Sequence, residues 1–111
     1  MRFAVKAEAD YAIVVLDGDV DLSCSPEVRK AILACLAEGR DTLVDLSAVT
    51  YIDSSGVASL VEGFQTARRI TLRFGLLGVS DAARAVLELA RLDKIFPIHS
   101  DLAARRAADG G

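Results

Sequence analysis

"YIDSSGVASLVEGFQTARR", residues 51–69, is where the chain changes from one backbone periodicity to another. Val57, Leu60, Val61 and Phe64 fall at i, i+3, i+4 and i+7, the apolar face of a helix of about four turns. Arg68 and Arg69 suit the negative pole of that helix. Between the pair Tyr51-Ile52 and this stripe stands Asp53-Ser54-Ser55-Gly56. Aspartate and serine before a helical run are the side chains that satisfy its unpaired N–H groups, so a helix cap is one reading of the turn. Two details go beyond a cap. Three polar residues stand in a row, and Gly56 sits in the first turn, where alanine would favour the helix by roughly 1 kcal/mol. A glycine there leaves room for something to approach closely. A serine at a helix N-terminus is also a favourable place for a phosphate, near backbone N–H donors and the positive end of the dipole.

Upstream, residues 2–7 and 11–16 read as two strands joined by a hairpin turn at Asp10, the second stopped by Asp17-Gly18. Ser25-Pro26 reads as an N-cap followed by proline at the first helical position. Val28, Ile32, Cys35 and Leu36 give that helix its stripe and Gly39 its end. "TLVDLS", 42–47, is apolar on both sides of Asp45 and suits a buried central strand, with a loop through Val49 and Tyr51 after it. Downstream, "TLRFGLLGV" alternates Leu72, Phe74 and Leu76 as a strand, and Ser80 caps a helix with Ala83, Val86, Leu87 and Ala90 on one side. "IFPI", 95–98, is a short strand that Pro97 confines to an edge, and Asp101–Ala108 forms a last helix. The expected fold class is α/β: a single small domain over residues 1–108, a mixed sheet of about five strands flanked by helices, in the order β-β-α-β-α-β-α-β-(α). Residues 109–111 are expected to fray.

Composition narrows the function. A 111-residue chain with 52% hydrophobic and 26% charged residues fills one core without staples. A net charge of −3 lacks the basic field that nucleic acids select. Apolar runs such as "AIVVL" are far shorter than the roughly 20 residues that cross a bilayer, and charges interrupt any leader-like start, so no membrane insertion and a cytoplasmic location are expected. Cys24 and Cys35 form no metal or redox pattern, and Cys35 lies on a helical stripe as a core thiol. No phosphate loop, dinucleotide fingerprint or nucleophile elbow occurs, and the lone His99 after an edge strand is expected at the surface. No catalytic residue, cofactor or metal is assigned. The pattern is that of a module that binds rather than an enzyme.

The stretch "DLSAVTYIDSSGVASLVEGFQTARR", with "LDGDVDLS" before it and "LLGVSDAARAVLELARLDKIFPI" after it, resembles the STAS domain family, and within it the bacterial anti-sigma-factor antagonists. The resemblance covers roughly residues 4–103. It implies a protein whose unphosphorylated form binds an ATP-using serine kinase that doubles as an anti-sigma factor, so that the sigma factor is released. Phosphorylation of the turn's first serine, here Ser54, switches it off, and a metal-dependent serine phosphatase restores it. It further implies that Asp21, in Gly18-Asp19-Val20-Asp21, lies near the turn. Asp53, Ser55, Gly56, Val57 and an exposed helix face with Ser59, Glu62 and Gly63 would complete the docking surface. A second branch of the family, accessory subunits of phospholipid-transporting ABC complexes that dock on the permease or ATPase, shares the fold. The intact Asp-Ser-Ser-Gly favours the phospho-switch branch.

Overall fold

The strand pattern "YAIVVLDG" continues past its apparent stop. In the computed structural model, which describes residues 1–110, β1 (Arg2–Ala7) pairs antiparallel with β2 (Ala12–Val20). The hairpin closes where the Glu8 N–H donates to the Tyr11 carbonyl at 2.8 Å, with Asp10 in the turn. Beyond Asp17-Gly18, β2 runs on to Val20, because Gly18 takes φ +95° and the strand shifts register there against its other neighbour. That neighbour is β3 (Thr42–Ile52), parallel to β2 and longer than the expected 42–47. The segment expected as a loop through Val49 and Tyr51 pairs with Gly18 and Asp19 as strand. The sheet order is β1-β2-β3-β4-β5, with β4 (Phe74–Leu77) and β5 (Ile98–His99) added in parallel. β4 is shorter than expected, since Thr71 turns the chain at φ +61°, and all four of its residues are buried. β5 begins one residue after Pro97 rather than at Ile95, and it is the edge strand that the proline required. His99 ends it half-buried, not at the surface.

The helices are α1 (Ser25–Ala37), α2 (Ser54–Arg69), α3 (Asp81–Leu89) and α4 (Leu102–Gly110). Ser25 is the first helical residue of α1, not its cap. Cys24 holds the cap position without a side-chain bond, and Gly39 ends the helix at φ +77°. Ser80 caps α3, accepting the Ala83 N–H at 3.2 Å. One face of the sheet, with Val14, Leu16, Val44, Leu46 and Leu76, shares a core with Val28, Ile32 and Leu36 of α1, Leu60 of α2 and Leu87 of α3. Removing a side chain as enclosed as Leu60 from water is worth about 1.5–3 kcal/mol. Phe64, Phe74 and Phe96 meet edge-on or tilted, with centroids 5.5–6.4 Å apart, under the C-terminal half of α2. The opposite face carries a smaller cluster, Tyr11, Ile13, Leu43 and Leu77, against which Leu102 of α4 packs.

α4 outlasts the expected helix. Asp109, placed in a fraying tail from sequence, accepts the Tyr11 hydroxyl proton and pairs with Arg105 at 2.9 Å. Arg105 is buried and also donates to the Phe74 carbonyl at 3.2 Å. Arg106 makes a two-pronged pair with Asp10 at 2.8 Å, which ties α4 to the hairpin turn. Gly111 lies outside the described residues, and with it the last position of that tail. Among the described residues no helix is long and apolar enough to cross a membrane, and no acidic, histidine and cysteine side chains cluster as metal ligands.

Candidate functional site

β2 and β3 end side by side, Val20 against Ile52, and the site is built on their last bonds. The Asp53 N–H donates to the Val20 carbonyl at 3.1 Å. Extended at φ −99°, ψ −177°, Asp53 then caps α2. Its Oδ1 accepts the N–H groups of Ser55 at 2.9 Å and Gly56 at 3.0 Å, as well as the Ser55 hydroxyl. Its Oδ2 accepts the Leu22 N–H at 3.1 Å, so one carboxylate holds both the helix start and the loop that leads into α1. These donors, the Ser55 hydroxyl first and the Gly56 N–H next, keep the Asp53 carboxyl below its ordinary value of 3.8.

The two hydroxyls of the turn therefore differ. Ser55 is half-buried and its proton is committed to Asp53. Ser54, the first residue of α2, is exposed, and its hydroxyl has no hydrogen-bond partner among the described residues. The cap is Asp53, and Ser54 is left out of it. A phosphate on Ser54 would find fewer of the donors expected from the sequence, since Asp53 has taken those of Ser55 and Gly56. Its charge would stay at the surface, beside an ionised carboxylate.

Asp21 lies in the loop that Asp53 holds, and its own carboxylate is engaged by that loop's residues. It accepts the Ser23 N–H at 3.0 Å and the Ser23 hydroxyl, while its carbonyl accepts the N–H of Ser25 at 2.8 Å. Asp21 shapes the loop, and Leu22 stands out from it with 71% of its surface exposed. Tyr51, two residues before Asp53, is half-exposed. Nothing in the sequence singles out Leu22, since a lone leucine between Asp21 and Ser23 carries no periodic signal.

Four residues expected on the docking surface are buried instead. A Cβ on Gly56 would lie 2.7 Å from Ile52 Cγ1 and 2.9 Å from Val20 Cγ1, so the close approach that its glycine serves is the core beneath it, not a partner above. Val57 belongs to the same core. The Ser59 hydroxyl donates to the carbonyls of Ser55 at 3.1 Å and Ser25 at 3.3 Å, stitching α2 to α1. Gly63 lets α2 come down on Ile32 and Phe74, which a Cβ would meet at 2.7 and 3.0 Å. Only Glu62 of that set reaches solvent, where it pairs with Arg29 of α1. The exposed line of α2 is Ser54, Ala58 and Gln65, with Glu62 at its side. Pro26, Arg29, Ser55, Ala58 and Glu62 border a shallow groove of about 310 Å³ between α1 and α2. Counting by four from Ser54 would have found Ala58.

An Asp53→Ala variant should melt at a lower temperature than wild type, and by more than Ser54→Ala, because it frees both the helix start and the Leu22 loop. The difference should shrink in acid. A carboxyl whose folded pKa is depressed stabilises above its unfolded value and loses that contribution as pH falls through the folded one. Thermal melts of both variants at pH 7 and near pH 3 measure this, and an undiminished gap in acid would locate the effect outside the Asp53 charge.

These elements define a small α/β recognition module: a rigid capped turn, one free hydroxyl, and apolar side chains standing beside it. A family model described as "Mlab, STAS domain" matches residues 3–99, and the chain belongs to the STAS domain family. It is similar to the anti-sigma-F factor antagonist RsfB of Mycobacterium tuberculosis, with 31% identity over 94 residues, 82% of this chain and 75% of that protein. With the anti-sigma-B factor antagonist of Listeria monocytogenes it shares 28% over 92 residues, 82% and 81% of the two chains. The crystal structure of an anti-sigma factor antagonist from Mycobacterium paratuberculosis superposes with a TM-score of 0.83 at 27% identity, covering 96% of this chain and 92% of that one.

Proposed function

We propose that this protein is an anti-sigma-factor antagonist whose docking surface centres on residues 53–55, with Leu22, Tyr51 and Ala58 around them, and whose switch is phosphorylation of Ser54. The observation that carries this is the division of labour in the turn: Asp53 caps the helix and engages Ser55, and Ser54 is exposed with its hydroxyl free. The similar proteins named as antagonists of anti-sigma factors support the partner class. The unmodified chain binds a serine kinase that serves as the anti-sigma factor and displaces the sigma factor from it. The kinase uses ATP to place on Ser54 about two negative charges next to the ionised Asp53. Because Ser54 contributes nothing to the cap, the fold survives and only the surface changes. Like charge and bulk then expel the partner, and a metal-dependent phosphatase reverses the step. The chain itself acts here as a ligand, not as a catalyst.

Ser54→Ala should leave the melting temperature nearly unchanged, keep affinity for the kinase, and accept no phosphate when incubated with that kinase and ATP. Ser54→Asp should bind more weakly than wild type yet more tightly than the phosphorylated protein, since one charge replaces nearly two. The test is affinity capture from the native lysate with wild type and Ser54→Asp side by side, read by mass spectrometry. A kinase-type ATPase enriched on wild type and depleted on the variant supports the reading. ABC-transporter subunits held equally by both would overturn it in favour of the accessory-subunit branch.

A further inference from the structure

β1 is the free edge of the sheet, and all six of its residues are exposed. Its backbone directions follow from the hairpin. The Glu8 N–H donates to Tyr11, so alternation along an antiparallel pair turns the backbone groups of Glu8, Lys6, Ala4 and Arg2 toward β2. Those of Phe3, Val5 and Ala7 point outward, unpaired. The side chains divide the same way. Phe3, Val5 and Ala7 lie opposite Leu16, Val14 and Ala12, on the face that carries the large core, yet Phe3 and Val5 are 39% and 49% exposed. Arg2, Ala4, Lys6 and Glu8 lie on the other face, where the Glu8 carboxylate comes within 3.9 Å of Arg106.

We propose that this edge is an interface for a second copy of the chain, the two β1 strands pairing antiparallel about a two-fold axis at Val5. The choice of partner and of register comes from charge. An axis at Ala4 would set Arg2 against Lys6, and an axis at Lys6 would set Lys6 against itself. Like charges directly opposed disfavour both. With the axis at Val5, Arg2 faces Glu8 of the other copy at each end and Lys6 faces Ala4. On the other face Val5 meets Val5 and Phe3 meets Ala7, a continuous apolar strip. The outward backbone groups are those of Phe3, Val5 and Ala7, the residues this register brings into hydrogen-bonded pairs, so two five-stranded sheets become one. The charges that commonly protect a sheet edge here disfavour the two neighbouring registers, and registers centred farther out, on Phe3 or Ala7, pair less of the strand. The turn at Ser54 follows the last β2–β3 pair, Val20 with Ile52, beyond the Arg2–Asp17 pair that ends β1, and no β1 residue belongs to it, so the dimer does not depend on the proposed switch.

A single strand edge is a small interface, below the roughly 1,200 Å² of tighter complexes, and the dimer is expected to dissociate on dilution. Sedimentation of the untagged chain, across about three decades of concentration up to about 1 mM, should show monomer giving way to dimer. Val5→Lys places two ammonium groups at the axis, on a side chain that is already exposed, and should remain folded and monomeric throughout. Arg2→Glu should also be monomeric, and Arg2→Glu combined with Glu8→Arg should restore the dimer. In the wild type, the amides of Phe3, Val5 and Ala7 should gain protection from exchange as concentration rises, while those of Ala4 and Lys6 stay protected at every concentration. A wild type that is monomeric at the highest concentration overturns the proposal. So does a dimer that survives Val5→Lys, or one whose outward β1 amides exchange freely because the contact lies elsewhere.

Discussion

A Gly56→Arg variant should be severely destabilised, although Gly56 sits beside the exposed serine and looks like a surface position. Even the first carbon of a side chain would stand 2.7 Å from Ile52 and 2.9 Å from Val20, at the ends of the two central strands. Overpacking a core by a methylene or two costs about 1–3 kcal/mol, and an arginine must also find a path out or bury its charge. Gly56→Ala separates the terms. Helix propensity returns roughly 1 kcal/mol, so the net change in denaturant unfolding is the steric cost less that amount, and a net loss shows that the steric cost exceeds it. An arginine variant with the wild-type denaturation midpoint would mean that Ile52 and Val20 give way easily. The consequence for function is direct: lost partner binding in Gly56→Arg reports lost structure. Ala58→Arg, on the exposed line of α2, is the substitution that tests docking without touching the core.

The second large effect is expected at the far end of the molecule. Arg105→Ala removes a buried guanidinium, leaves the Phe74 carbonyl and the Tyr11 ring without their partner, and strips Asp109 of its closest cation. Breaking a buried pair from one side costs about 3–5 kcal/mol, and the lower end applies because Asp109 keeps some contact with water. Arg105→Met, which keeps the packing stem, with Asp109→Asn should recover part of the loss, because no charge is then stranded. Equilibrium unfolding of the three proteins measures both steps. If Arg105→Ala unfolds at the wild-type midpoint, α4 contributes nothing to the cooperative unit, and the small cluster of Tyr11, Ile13, Leu43 and Leu77 is stable with that face open.

Much of this was legible from the chain. The change from period two to period 3.6 at Asp53, the proline at 26, the glycine at 39 and the serine at 80 locate the elements in order. Each is a local effect of backbone sterics or of a side chain within four residues. Strand lengths were not legible in the same way. β2 and β3 continue through Asp17-Gly18 and Val49–Tyr51 because each supplies the other's hydrogen bonds, which no local pattern records. Part of the buried side of α2 is not legible for a related reason. The stripe of Val57, Leu60, Val61 and Phe64 does pack on the core, but the helix also turns Gly56, Ser59, Gly63 and Ala67 inward, since small residues let its backbone come close to α1 and the sheet. Small side chains carry little hydrophobic signal, so close approach is invisible until the neighbours are in place.

By itself, then, the sequence determined the element order, the mixed α/β class, the position of the turn and its stock of hydroxyl and carboxylate groups, because each depends on residues adjacent along the chain. Only the tertiary structure decided which of those groups is free. Asp53 reaches the Leu22 loop thirty-one positions earlier in the chain, binds Ser55 beside it, and thereby leaves Ser54 alone in solvent. Which hydroxyl is available is set by a hydrogen-bond count across two loops, and that count closes only when β2 and β3 have brought them together.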